Sequence, residues 1–88
     1  MIHSGNLKPV IDLRTLSSEE GYPLIVKTFD ALHRGESFLL ISDHDPRPLY
    51  YHLAHEREGQ FSWVYMECGP SIWQVMIANI HFDIQKGA

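Results

Sequence analysis

Ser37-Phe38-Leu39-Leu40-Ile41-Ser42-Asp43-His44-Asp45-Pro46-Arg47-Pro48-Leu49 is the stretch on which the fold turns. Its first part is an apolar run edged by serines, which reads as a buried strand. The residues from Leu49 to Arg57 read as a helix. Between strand and helix the chain places two carboxylates, an imidazole and a guanidinium side by side. Asp45 suits the N-cap, because its carboxylate can accept a bond from an unpaired first-turn N–H. Pro46 suits the first helical position, where its missing N–H costs nothing. Asp43 and His44 are then free for other work.

Upstream, Pro9 to Arg14 alternates as a short strand, with Ile11 and Leu13 inward. Two helix starts then compete. Ser17 with Glu20 matches a capping box, whereas Pro23 prefers a first turn. Gly21 and Pro23 would interrupt a helix begun at Ser17, so the expected start is near Tyr22. Leu24, Ile25, Thr28, Phe29 and Leu32 form the apolar stripe, with Arg34-Gly35 as its C-cap.

Downstream, Gln60 to Glu67 reads as a third strand with Phe61, Trp63 and Tyr65 on one face. Cys68-Gly69-Pro70-Ser71 reads as a turn. Ile72 to Ile80 reads as a fourth strand with Trp73, Val75 and Ile77 facing the core. The order is βαβαββ, in one domain at 9–82 between an arm at 1–8 and a tail at 83–88. Right-handed crossovers run strands 1, 2 and 3 the same way, with both helices on one face. The short turn makes strand 4 antiparallel to strand 3. The predicted fold is thus an α/β two-layer sandwich with a four-stranded mixed sheet.

That topology brings the loops after the first three strands to one edge, where open sheets tend to place ligands. Arg14, Tyr22, Asp43, His44, Arg47, Glu67 and Cys68 are the candidate ligand-binding residues there, with Asp45 and Pro46 as the structural cap. His44 with Asp43 also reads as part of a divalent-metal site. The competing reading is structural, with Asp43 capping a turn and His44 bonding a backbone carbonyl. His52, His55 and Glu56 share a helical face at a metal-binding spacing, but for an exposed acidic helix the solvated-face reading wins.

Composition narrows the class. The net charge is −4 with the basic residues scattered, which argues against nucleic acid, whose phosphates need a clustered basic surface. No apolar run approaches the ~20 residues of a membrane span. One cysteine excludes an internal disulfide and a multi-Cys zinc site. No signal peptide is evident at Met1-Ile2-His3-Ser4-Gly5, so a cytoplasmic protein is expected. No paired nucleophile, phosphate loop or acid pair stands out, and the reading leans away from an enzyme.

The face opposite the helices carries Val64 and Met66 on the third strand, and Ile72, Gln74, Met76 and Ala78 on the fourth. A solvated face normally alternates to polar residues, so Val64, Met66, Ile72 and Met76 are the expected contact surface for a homodimer or an unknown protein partner.

Ile11-Asp12-Leu13-Arg14, a Pro-started helix, Arg34-Gly35-Glu36 and a strand ending in Ser42-Asp43 resemble the TusA-like (SirA-like) superfamily over roughly residues 10–80. Asp43-His44-Asp45-Pro46-Arg47-Pro48-Leu49, then Gly59, Phe61, Trp63, Tyr65, Gly69-Pro70 and Trp73, is similar to an uncharacterised, domain-of-unknown-function branch of it. The resemblance implies a prokaryotic protein, the βαβαββ sandwich and a link to sulfur or redox metabolism, while relatives fused to hemerythrin-like and other redox modules point to iron or nitrogen-oxide physiology. Strand 4 between strands 2 and 3, the order that the resemblance to the sulfur carriers implies, brings Val64, Met66 and Met76 together. The sulfur carriers hold a nucleophilic cysteine at the start of the first helix. The matching stretch here, Ser18 to Pro23, has none. Relatives in the closer branch often carry His where this chain has Tyr22, which removes half of any pair with His44.

Two functions follow as expectations. One is a non-enzymatic binding or accessory module with a ligand or metal site at the Asp43-His44-Asp45 edge. The other is a thiol-dependent sulfur or redox carrier that uses Cys68.

Overall fold

A computed structural model describes residues 8–81. Except for Lys8, the arm expected at 1–8 and the tail at 83–88 lie outside the described residues. The elements are β1 (Val10–Asp12), a short 3-10 turn (Leu13–Thr15), α1 (Ser18–Asp30), β2 (Ser37–Ser42), α2 (Arg47–Glu56), β3 (Phe61–Cys68) and β4 (Trp73–Asn79). This is the expected βαβαββ order.

The sheet order is β1-β2-β4-β3. β1 runs parallel to β2, while β4 is antiparallel to both β2 and β3. β3 therefore points the same way as β1 and β2, with β4 between β2 and β3 as expected. Phe38 lies opposite Ile77 and Leu40 opposite Val75, and Ile11 lies beside Leu40. These five side chains are buried with Ile25 and Phe29 of α1 and Leu53 of α2. One face of the sheet thus carries both helices. Each fully buried Phe or Leu here stabilises the fold by about 1.5–3 kcal/mol.

The first helix starts earlier than expected. Ser17 is the N-cap, accepting a bond from the Glu20 N–H, while the Glu20 carboxylate accepts from the Ser17 N–H. Glu19 and Glu20 in the first turn also suit the positive end of the helix dipole. The expectation of a start near Tyr22 treated Gly21 and Pro23 as interruptions. Gly21 instead donates its N–H to the Ser17 carbonyl at 2.9 Å, and a Cβ there would come within 2.9 Å of Leu13 Cδ2. It is a packing glycine, and Pro23 is carried inside the helix at the loss of one backbone bond. The helix also ends earlier than expected, at Asp30 with Ala31 as C-cap. Gly35 serves the following turn instead, with φ of 90°.

At α2 the cap lies one residue later than expected. Pro46 occupies the N-cap position and Arg47 the first helical one. Asp45 still accepts the Arg47 N–H, at 3.1 Å. Leu53 is the buried residue of α2. The Arg57–Asp30 ion pair, made through Nε at 2.9 Å and Nη2 at 2.7 Å, ties the two helix ends together. Cys68 is the last residue of β3, not part of the turn. That turn is closed by the Gly69 N–H donating to the Ile72 carbonyl at 2.7 Å.

Candidate functional site

The β2–α2 loop is organised around Asp45. Its Oδ1 accepts the Tyr65 hydroxyl at 2.8 Å as well as the Arg47 N–H, and its Oδ2 lies 3.5 Å from Arg47 Nη2. The Arg47 pKa is pushed up, first by hydrogen bonding to the Tyr65 phenol and then by the Asp45 charge. The phenol donates to the carboxylate and lines the same cavity as the guanidinium. Tyr65 comes from β3, so this cluster pins the start of α2 to the far strand of the sheet.

Asp43 and His44 are arranged differently. Asp43 Oδ1 lies 2.8 Å from His44 Nδ1, and both side chains are well exposed. The His44 N–H donates to the Ser42 hydroxyl. Among the described residues, no three His, Cys, Asp or Glu side chains gather as a metal-holding group. The pair is two potential ligands bonded to each other at the loop surface.

The remaining candidates divide. Arg14 is held by Asp12 through Nε at 2.9 Å and Nη2 at 2.8 Å. That contact lowers the Asp12 pKa and raises that of Arg14, to which the charge of Asp43 adds a smaller effect. Asp12 lies beside Ile41 in the sheet, which brings Arg14 and Asp43 to the same edge. Tyr22 is placed differently: its hydroxyl donates to the His52 carbonyl at 3.2 Å and its ring lies against the His52 ring. Burial is the main cause that lifts its phenol pKa. Tyr22 belongs to the contact between helices. Glu67 lies opposite Gln74, and Cys68 is exposed beside Trp73. Trp73 in turn pairs with Ser42, so two interstrand spacings, about 10 Å, separate Cys68 from the end of β2.

A chain of aromatic rings extends the cluster. Tyr65 meets Trp73 on one side and Trp63 on the other; Trp63 meets Tyr50, which also meets Tyr51 and Phe61. All are edge-to-face, the arrangement favoured by ring quadrupoles. Arg47, Tyr50, Tyr51, Trp63 and Tyr65 line an open cavity of about 210 Å³. A larger depression of about 480 Å³, lined by Tyr50, Ala54, Glu58, Gly59, Phe61 and Trp63, lies next to it.

Tyr50, Tyr51, Trp63 and Tyr65 were not among the sequence-based site candidates. The period-2 spacing of Phe61, Trp63 and Tyr65 places them on one face, where they pack against the core while staying half-buried. The usable signal was Tyr50-Tyr51 one turn after Arg47, which puts two rings beside the guanidinium.

A family model for an uncharacterized conserved protein family, DUF2249, matches residues 10–79. The chain belongs to the DUF2249 family. This is the uncharacterised TusA-like branch that the motif resembles. No curated protein and no solved structure matches the chain. The match spans every element of this DUF2249 domain from β1 to β4. Among the described residues, no helix is long and apolar enough to cross a membrane.

Proposed function

We propose that this DUF2249 domain is a non-enzymatic binding module whose site is the aromatic cavity at the start of α2, beside the Asp43-His44-Asp45 loop. Its ligand is an organic anion of about single-ring size. The observation that supports this reading is the guanidinium of Arg47 at the rim of a cavity walled by Tyr50, Tyr51, Trp63 and Tyr65. A guanidinium has five N–H donors in a planar fork. Asp45 engages the Arg47 side chain only at 3.5 Å, which leaves donors for a carboxylate or phosphate. The tyrosine and tryptophan faces supply flat apolar area for the body of the ligand. At about 210 Å³ the cavity is below the ~300–1,000 Å³ of most small-molecule sites, which sets the size class.

Two-dimensional NMR titration with benzoate and phenyl phosphate, with benzylamine as control, tests the reading. The anions should shift the Trp63 indole and Arg47 Nε signals saturably, and benzylamine should not. Arg47→Ala should abolish the response. Equal responses to all three probes, or none, would overturn the proposal.

The exposure of Cys68 supports a second reading, a carrier of sulfur as a persulfide on that thiol. Intact mass after incubation with a persulfide donor separates the two. A gain of one sulfur that Cys68→Ser removes supports the carrier; unchanged mass rejects it.

A further inference from the structure

The sheet ends in two unlike edges. β1 has three residues, whereas β3 has eight and, among the described residues, pairs with β4 alone. The direction of the β3 backbone groups follows from one bond and the register. The Ile80 N–H donates to the Gln60 carbonyl at 2.9 Å, and the register pairs Phe61 with Asn79 through to Tyr65 with Val75. Hydrogen-bonded and non-hydrogen-bonded pairs alternate along an antiparallel ladder. Gln60, Ser62 and Val64 thus turn their backbone groups to β4, while Phe61, Trp63 and Tyr65 turn theirs outward to the free edge.

Natural sheets blunt such edges with Lys, Pro, inward charges or bulges. From Phe61 to Tyr65 the strand has no charged residue and no proline, and its bulge falls only after Tyr65. The exposed apolar surface gathers on the same flank. Of the large exposed hydrophobic residues among the described residues, Tyr50, Tyr51, Val64, Met66 and Ile80 lie on or next to β3, leaving only Val10 and Leu24 elsewhere.

We infer that the free edge of β3 pairs antiparallel with β3 of a second copy of this chain, joining two sheets into one continuous eight-stranded sheet. The strand is self-complementary. Its regular segment runs from Phe61 to the bulge after Tyr65, so its centre is Trp63. A two-fold axis there sets Trp63 against its own copy and Phe61 against Tyr65 of the partner subunit. The outward backbone groups of these residues then form hydrogen-bonded pairs. The helix-side face gains only aromatic–aromatic pairs, which favour cross-strand association. On the other face Ser62 meets Val64 of the partner subunit, and no like charges are opposed. An axis perpendicular to the sheet keeps both helix layers on one side, bringing the exposed Tyr50 and Tyr51 of α2 toward their counterparts. The interface is isologous and closed, so it stops at two copies. A different protein with a free strand could use the same edge. The matched aromatic register and the absence of charge within it favour a second copy.

Sedimentation equilibrium or light scattering across a dilution series tests this, using two charge patterns at the exposed face. Ser62 and Val64 sit opposite each other across the axis, where non-hydrogen-bonded side chains are close. Ser62→Lys with Val64→Lys sets like charges face to face. Ser62→Lys with Val64→Glu sets opposite charges there. The wild-type protein should have the mass of two chains and dissociate on dilution. The Lys/Lys variant should be a monomer at concentrations where the wild type is a dimer. The Lys/Glu variant should retain the dimer. Circular dichroism and the Lys/Glu variant together control for loss of the fold. A wild-type monomer at every concentration overturns the inference, as does a folded Lys/Lys variant that stays dimeric. Arg47→Ala should leave the mass unchanged, so failure of the dimer and failure of ligand binding are read separately.

Discussion

The Tyr65 hydroxyl donates to Asp45 Oδ1 at 2.8 Å, a bond that joins the edge strand of the sheet to the loop in front of α2. The same oxygen accepts the Arg47 N–H. Asp45 is therefore a helix-start acceptor and a tertiary tether at once. Twenty residues of sequence separation are closed by one carboxylate.

That double role gives an expected non-additivity. Asp45→Ala should lower stability by about 1–2 kcal/mol, from the lost helix-start bond and the orphaned phenol. Tyr65→Phe removes only the tether and should cost about 0.5–1.5 kcal/mol. The double variant should cost less than the sum, because the shared bond can be lost only once. Urea denaturation of the four proteins measures this, and strict additivity would remove the bond from the energetics.

Gly69 is constrained from two directions. Its φ is 77°, in the left-handed region that favours glycine. A Cβ there would also lie 2.8 Å from Trp73 Cε2 and Cζ2. The Trp73 ring covers the glycine, which explains Gly69-Pro70 followed by Trp73 as one unit. Gly69→Ala should destabilise by about 1–3 kcal/mol, from backbone strain and the displaced ring together. Thermal denaturation with Trp fluorescence should show a lower midpoint and an altered indole environment. A midpoint within error of wild type would mean that the ring moves aside freely.

Those two features show how far local sequence reaches. The element order and strand directions are legible because periodicity, turn length and crossover handedness each act over short spans, whereas the place of β4 between β2 and β3 comes from the family resemblance. The alternation puts Trp73, Val75 and Ile77 on the core face, where Val75 and Ile77 are buried and Trp73 is half-buried. The helix start is not legible locally, because Gly21 looks like a breaker until Leu13 packs against it. That contact depends on tertiary placement of the turn after β1. The candidate site was legible only where the loop builds it. Asp45, Arg47 and their neighbours could be named from the strand–helix junction, but the pairing of Asp45 with Tyr65 depends on the β3 register. Tyr22 was assigned to the edge from its place at a helix start. The earlier start at Ser17 moves it inside α1, where it turns toward His52.

The ion pair between helix ends makes stability depend on pH. Arg57 holds the Asp30 carboxyl below its usual pKa, chiefly through the two-point hydrogen bond, against a smaller opposing effect of burial. A carboxylate whose folded pKa is depressed contributes stability that is fully present above its unfolded pKa. The contribution is lost as pH falls through the folded value. Asp30 is about half exposed, with 47% of its side-chain surface accessible, so solvent screens the pair and about 0.5–1 kcal/mol is the expected size. Asp30→Asn should therefore be less stable than wild type by that amount near neutral pH. The difference should shrink to nothing once the pH is well below the carboxylate range, where the wild-type residue is also uncharged. Urea midpoints of both proteins across a pH series would show the two curves converge on the acid side. Curves that stay parallel at every pH would assign the effect to packing of Asp30 and not to its charge.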